Sequence, residues 1–356
     1  MTIYIILFLC LTLAHSTDWN ITPKKSIESS QLSKVYDINL DLPMSERYKQ
    51  IFIDSSENIK KYIKAVKYSS KYLSFIAQIG FPLLEDNKER IDPEWYEYIE
   101  QLSEITNITL GDAFMLSLTY EIGCTSVIAQ NNNNDIIMAR SFDINNNDIV
   151  KDLLFEANYY KNGTLLYQGI EIAGFRGSLN AIKPNKFSIA INKRYDNRKY
   201  QQSYHLLRSI ALPIDGFYTP NYLIMKVMET HDTFETAEEM LKKTELTSNA
   251  YYILSGVKKN EGAIIGRKQS FLVDEQKLDV DNGKWFIGVC NKDIHNENIT
   301  DYRREELYKN MNRITRERIN EDLIINEVLK KYPLMNNDTV YTSIHMKENI
   351  STLVWK

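Results

Sequence analysis

The pair Gly123-Cys124, with Arg140 and Asp143 a short way downstream, is the most chemically loaded pattern in the chain. A thiol attacks as its thiolate, and a neighbouring guanidinium lowers the thiol pKa. Two strand-like runs, Cys124 to Gln130 and Asp135 to Arg140, flank the polar stretch Asn131 to Asn134. Apolar runs around a polar turn predict a β-hairpin. Its return would bring Arg140 and Asp143 to the end of the sheet where Cys124 begins. Cleavage of the Gly123–Cys124 bond would give Cys124 a free α-amine, which can act as base toward its own thiol. Gly123 carries no side chain to block attack on its carbonyl. Asp143 would hold the new ammonium or orient Arg140. Asn291 follows the run Phe286 to Cys290, and a side-chain amide at a strand end can donate to an oxyanion. The competing readings are structural ones: an Arg140–Asp143 ion pair at a strand end and a Cys124–Cys290 disulfide.

The elements that must position these residues divide at Cys124. Before it the pattern is mainly helical. Ser45 to Lys67 has Tyr48, Ile51, Ile53, Ile59, Tyr62, Ile63 and Val66 at helical spacing. Pro93 to Ile105 begins with Asp92 as a cap and Pro93 at the first helical position. Leu110 to Ile122 predicts a third helix, with Gly123 as its stop. After Cys124 strands dominate, at 124–130, 135–141, 152–160, 164–172, 186–192, 250–256, 261–267, 284–290 and 338–346. Helices are predicted at about 203–211, 219–230, 234–243, 302–313 and 318–331. Two sheets covered by helices on both sides follow from this order.

Composition excludes other classes. The 356 residues are 43% hydrophobic and 25% charged, ample for a large core. A net charge of −4 and the lack of a basic stripe argue against a nucleic-acid partner. The chain has no Gly-x-Ser-x-Gly elbow, His-Glu-x-x-His helix, Walker loop or Gly-x-Gly-x-x-Gly. Its five scattered histidines predict no metal site. Ile3 to Leu13, followed by Ala14-His15-Ser16, reads as a signal peptide over residues 1–16. The run is too short to span a bilayer. Six Asn-x-Ser/Thr sequons, at Asn20, Asn107, Asn162, Asn298, Asn337 and Asn349, agree with a secretory route. Cys10 lies in the leader, so the mature chain keeps only Cys124 and Cys290, too few for a disulfide scaffold.

The ordered stretches Cys124-Thr-Ser-Val, Arg140-Ser-Phe-Asp143, Lys186-Phe-Ser188, Ala250-Tyr-Tyr-Ile-Leu254, Gly283-Lys-Trp285, Asn291-Lys-Asp293, Asp301-Tyr-Arg303-Arg304 and Thr339-Val-Tyr-Thr342 carry a family likeness. On them the chain resembles the N-acylethanolamine acid amidase and acid ceramidase family of N-terminal-nucleophile hydrolases, over nearly its whole length. The spacing between Asp143 and Asn162-Gly163 is similar to the amidase branch. The resemblance implies an α+β protein with an αββα sandwich, made as a zymogen. Self-cleavage at Gly123–Cys124 would give a helical N-terminal subunit (17–123) and a catalytic subunit (124–356) that together form a heterodimer. It implies Cys124 as nucleophile, Arg140 and Asp143 beside it, Asn291 as oxyanion donor and Arg303 as an active-site arginine, with no cofactor. The implied substrate is a lipid amide, an N-acylethanolamine or a ceramide, in a lysosomal or secreted setting with transient membrane-surface contact. The apolar faces of Ser45 to Lys67 and of Ala77 to Leu84 are candidates for that contact. A non-lipid acylase of the same mechanism and an inactive lipid-binding homologue are the alternatives. Lys193 departs from the family, whose pattern at Asn192-Lys193-Arg194 is Asn-Glu-Arg. An ammonium in place of a carboxylate reverses the local charge, and predicts weaker acid dependence of self-cleavage and an altered amine preference.

Overall fold

The protein's structure is a computed structural model that describes residues 22–24, 28–69, 82, 85–118, 123–144, 147–195, 216–293 and 302–356. The leader, Asn20, Asn298, Asp301, the helix expected at 203–211 and all of the Ala77 to Leu84 stretch except Pro82 lie outside these residues.

The hairpin expected around Asn131 to Asn134 forms from β3 (Gly123–Gln130) and β4 (Ile136–Asp143). It sits inside a six-stranded sheet whose other members are β1 (Ser29–Gln31), β12 (Phe286–Val289), β13 (Thr339–His345) and β14 (Ile350–Trp355). Their spatial order is β1-β14-β13-β4-β3-β12. A second sheet of eight strands is built from β2 (Val35–Asn39), β5 (Leu154–Lys161), β6 (Thr164–Ile172), β7 (Asn180–Lys183), β8 (Phe187–Lys193), β9 (Ala250–Ser255), β10 (Gly262–Arg267) and β11 (Leu272–Lys277). It runs in the order β11-β10-β9-β8-β7-β6-β5-β2.

Alternation along the strands stacks the layers, because successive side chains point to opposite faces. Ile128, Met138, Ile287 and Val289 of the first sheet meet Ala190, Tyr251, Ile253 and Ile264 of the second in one buried cluster. Val127, Ala129, Ile137 and Ala139 point the other way, onto Leu307, Met311, Ile324 and Val328. Those four belong to the helix Tyr302–Met311 and to a π-helical segment, Ile324–Leu329. The helices Pro220–Thr230 and Phe234–Lys243, with the N-terminal helices Lys49–Ser69 and Pro93–Thr106, share the large core over the second sheet. The architecture is the expected αββα arrangement.

A close approach seats the helix that reaches the site. Gly288 lets Tyr302–Met311 press against β12, since a Cβ there would stand 2.6 Å from Leu307 Cδ2. Across the hairpin, Gly123 pairs with Asp143 and Ser126 with Arg140. The Pro93–Thr106 helix starts as its sequence dictates, with the Asp92 carboxylate accepting from the Trp95 amide at 3.0 Å.

Several expectations need correction. Gly123 is the first residue of β3, not a helix stop, and the preceding helix spans Leu110–Ser117 within the described residues. The helix expected at 318–331 is shorter, Glu321–Leu323 running into the π-helical turn. The N-terminal region is not only helical. It lends β1 to one sheet, against β14, and β2 to the other, parallel to β5. The apolar face of Ser45 to Lys67 packs inward, with Tyr48, Ile51, Phe52, Ile59, Tyr62, Ile63 and Val66 buried and Ile53 exposed, so in the uncut chain it presents no continuous lipid-facing stripe. The Cys124–Cys290 disulfide does not form, and both thiols are buried. The Cys290 thiol lies 3.5 Å from Thr125 Oγ1, and strand alternation sends Thr125 to the face opposite Cys124.

Candidate active site

The start of β3 gives one residue two separately held reactive groups. Cys124 is completely buried. Its thiol lies between the sheets, where Arg140 Nη2 donates to Sγ at 2.9 Å. Its backbone N–H donates to Asn291 Oδ1 at 3.0 Å, just past the end of the neighbouring strand β12. The thiol is thus held by a cation, and the nitrogen that cleavage would turn into an amine is held by a neutral acceptor.

Each partner is itself positioned. Arg140 is buried, and its Nη1 donates to Asn180 Oδ1 at 2.7 Å and to the Tyr341 hydroxyl at 2.6 Å. Tyr341 also donates to Asn180 Oδ1 at 2.7 Å. Asn180 Nδ2 in turn donates to Ser343 Oγ at 2.7 Å and lies 3.0 Å from His345 Nε2. Asn192 accepts from Ser126 Oγ at 2.8 Å and donates to the Val289 and Cys290 carbonyls at 3.2 Å, linking the two sheets beside the thiol.

On the strand-end side, Asp143 is buried and forms an ion pair with Arg303 at 3.2 Å. Thr339 Oγ1 and Asn336 Nδ2 also donate to Asp143, at 2.7 and 3.2 Å. The other nitrogen of Arg303, Nη2, donates to Asn291 Oδ1. Asn291 Nδ2 donates to the Lys193 carbonyl at 2.7 Å, and the Tyr195 amide donates to the Asn291 carbonyl at 2.9 Å. Lys193 is half-buried, its ammonium 5.4 Å from the Tyr195 ring centroid. Arg194 forms a bidentate pair with Asp293, which Tyr251 also contacts at 2.6 Å.

Electrostatics follow from burial. Desolvation pushes the Cys124 thiol up to about 11, with Arg140 the largest opposing influence. Burial likewise raises Asp143, against the pull of Arg303. His345 is pushed down to about 3, first by burial and then by the Arg140 charge. In the uncut chain the thiol therefore needs a base before it can attack, and Arg140 stabilises the thiolate once formed. Among the described residues no group of three or more His, Cys, Asp or Glu side chains could hold a metal ion.

The chain aligns with proteins of known name. It is 27% identical over 329 residues to an N-acylethanolamine-hydrolyzing acid amidase of Caenorhabditis elegans, covering 87% of this chain and 88% of that one. It is 27% identical over 331 residues to human acid ceramidase, covering 87% and 82% of the two chains. A probable acid ceramidase of Caenorhabditis elegans is 28% identical over 349 residues, covering 89% and 84%. The solved structure of the Caenorhabditis elegans amidase ortholog superposes with a TM-score of 0.57 at 27% identity, covering 63% of this chain and 93% of that chain. This chain is a relative of the acid ceramidases and N-acylethanolamine acid amidases. It has their N-terminal-nucleophile hydrolase fold. No protein-family model matches the chain.

All five residues expected at the centre, Cys124, Arg140, Asp143, Asn291 and Arg303, converge there. Asn291 faces Cys124 with its oxygen, whereas an oxyanion donor would present its nitrogen. Sequence reasoning missed Asn180, Tyr341 and Asn192. Asn192 sits beside the flagged Lys193, and Tyr341 lies within Thr339-Val-Tyr-Thr342, so both were within reach of a closer reading. Asn180 carried no signal, because β7 is four residues long and shows no alternation. The described sequon asparagines, Asn107, Asn162, Asn337 and Asn349, are all exposed.

Proposed function

We propose that this chain is a cysteine amidohydrolase that cleaves the amide bond of fatty N-acyl lipids, N-acylethanolamines or ceramides, after cutting itself at Gly123–Cys124. The observation that carries this reading is the division of Cys124 between two partners, Arg140 at Sγ and Asn291 at N. A residue whose thiol and main-chain nitrogen are both held suits a nucleophile that becomes its own base.

In maturation, Sγ attacks the Gly123 carbonyl carbon, the Gly123–Cys124 C–N bond breaks, and the new amine takes a proton. Water then hydrolyses the Gly123 thioester. In turnover, the free α-amine accepts the thiol proton and Sγ adds to the substrate carbonyl. The tetrahedral oxyanion collapses as the α-ammonium protonates the departing amine. Water cleaves the acyl-thioester, releasing the fatty acid and restoring the thiol. Arg140 stabilises sulfur as its charge develops. The Asp143–Arg303 pair holds Asn291 toward the α-nitrogen. The fragments 17–123 and 124–356 stay joined as a heterodimer that makes transient contact with a membrane surface. A signal peptide at 1–16 and the exposed sequons support a secreted or lysosomal setting. Among the described residues no helix is long and apolar enough to cross a membrane.

The test is direct. Acid incubation should yield two fragments, with the larger beginning Cys-Thr-Ser-Val on Edman sequencing, while Cys124→Ala stays a single chain. A different N-terminus, or full activity without cleavage, would sink the mechanism. Parallel assays on N-palmitoylethanolamine and a ceramide decide between the two substrates, and inactivity on both removes the lipid-amide reading.

A further inference from the structure

The N-terminal stretch at 22–24 is remote from the catalytic strands in sequence, yet it grips the turn that leads into β13. The Asn337 amide donates to the Thr22 carbonyl at 2.8 Å. Lys24 Nζ donates to the Thr339 carbonyl at 2.9 Å, across 315 positions of chain. Both contacts fall on one turn, 336–339. Inside it the Thr339 amide donates to the Asn336 carbonyl at 3.0 Å, and the Asp338 amide donates to Asn336 Oδ1 at 2.9 Å. Two further ties come from the end of β4 and just beyond it. The Ile144 amide donates to the Asp338 carbonyl at 3.0 Å, and Asn147 Nδ2 donates to the Asn337 carbonyl at 2.6 Å.

The turn carries two of the donors that hold Asp143, Thr339 Oγ1 and Asn336 Nδ2. Thr339 and Gly123 are also the cross-strand partners of Asp143 on its two sides. A line of contacts therefore runs from Lys24 through Thr339 to Asp143, then through Arg303 and Asn291 to Cys124 N. Lys24 is half-buried at the outer end of this line. Burial draws its ammonium below the ordinary value and Lys151 adds to that, while Asp148, Asp143 and Asp338 oppose it. An ammonium that donates to a carbonyl makes a charge-assisted bond, roughly twice as strong as a neutral one.

We propose, resting on the amidase reading above, that Lys24 is a positioning residue for the reaction, supplied by the N-terminal fragment to a centre whose other members all lie from Cys124 onward. Lys24 touches neither the thiol nor the substrate. It fixes the turn that presents two donors to Asp143, and Asp143 in turn sets Arg303 and Asn291 against the α-nitrogen. Its charge also favours the ionised form of Asp143. The small fragment then does more than stay joined after the cut: the centre of the large fragment is incomplete without it.

Point variants of the full chain, assayed after maturation, test this. Lys24→Met should lower kcat roughly tenfold with KM unchanged, because a small misplacement of the reacting groups slows turnover more than it weakens binding. Loss of the cation raises the Asp143 pKa, so the acid limb of kcat should move to higher pH. Lys24→Arg keeps the charge and the donor and should restore both. Lys356→Met is the control. Lys356 pairs with Glu28 at 3.3 Å, so it ties the N-terminal chain to the residue after β14 and not to the turn. Its loss should leave kcat unchanged. Hydrogen exchange over residues 336–339 needs no substrate and should quicken in Lys24→Met. Unchanged exchange or unchanged kcat in Lys24→Met overturns the proposal, as does failure of Lys24→Arg to restore activity. An equal loss in Lys356→Met overturns it too, and so does a lower kcat with an unmoved acid limb, which would make Lys24 a stabilising contact only. A wild type that hydrolyses no lipid amide sinks the substrate reading instead. Lys24 is then judged on exchange and on self-cleavage at Gly123–Cys124: a slower cut in Lys24→Met sustains the proposal, and an equal rate ends it.

Discussion

At the scale of residues, the informative contrast lies at Asn291. Its oxygen accepts from Cys124 N and from Arg303, while its nitrogen is engaged by the Lys193 carbonyl. An asparagine that holds the α-amine needs an acceptor; one that stabilises an oxyanion needs a donor. Asn291→Ala removes both and should lower kcat by roughly 10²–10³. Asn291→Asp keeps an acceptor next to the α-nitrogen and Arg303. If the structure's orientation persists in turnover, the Asp variant should retain about tenfold more activity than the Ala variant. Equal loss in both, measured as kcat on matured enzyme, would return Asn291 to the oxyanion role. Lys193 offers a second contrast. Its carbonyl is fixed by Asn291 while its ammonium lies over Tyr195, so Lys193→Glu changes charge beside the centre without removing a backbone contact. Cleaved fraction against pH should become more acid-favoured in that variant. An unchanged profile would point to Asp143, which burial already pushes above its ordinary value.

At the scale of elements, what the sequence revealed depended on how each strand is buried. β3 and β4 are buried along their whole length and sit as long apolar runs around an asparagine-rich turn, so both were legible. β1 and β2 are short, largely exposed edge strands rich in polar residues, and their pairing depends on partners far along the chain. β11 reads Leu-Val-Asp-Glu-Gln-Lys, a charged edge with no strand signature. The helix Asn147–Leu153 was hidden because its apolar residues run directly into β5. The five candidate site residues were legible because their residue types are scarce and chemically distinct; their supports were not, since an asparagine or tyrosine in a core strand has no signature of its own. β1 and β2 have a consequence after cleavage. The N-terminal fragment would hold an edge of each sheet, and Tyr48 and Tyr98 flank Arg176 of the larger fragment, with ring centroids 5.4 and 5.0 Å from its guanidinium. The Tyr98 hydroxyl also donates to the Phe175 carbonyl at 3.1 Å. Matured protein should therefore elute as one species on size exclusion and separate only in denaturant. Two peaks under native conditions would contradict this interleaving.

At the scale of the whole molecule, the buried centre couples stability to pH through opposing groups. His345 is inside the fold, 3.0 Å from Asn180 Nδ2 and near Arg140, and is held neutral with its pKa lowered from 6.5 to about 3. The unfolded chain binds that proton first. Above about pH 6.5 the imidazole is neutral in both states and takes nothing from stability; as pH falls from there toward about 3, stability is lost, at up to about 1.4 kcal/mol per pH unit. Asp143 and Glu171 act in the other direction. Burial raises both, so the folded chain takes their protons more readily than the unfolded one. Their contribution is present at low pH and is lost as pH rises through their folded values. The wild-type profile sums these effects, and a single substitution separates them. His345→Gln keeps a polar group facing Asn180 but removes the titration. Denaturant unfolding of both proteins at pH 7 and at pH 4.5 should show the wild type losing about 2–3 kcal/mol relative to the variant over that interval. A constant offset between the two would mean that His345 titrates alike in the folded and unfolded chains, and that acid stability is governed by the carboxylates alone.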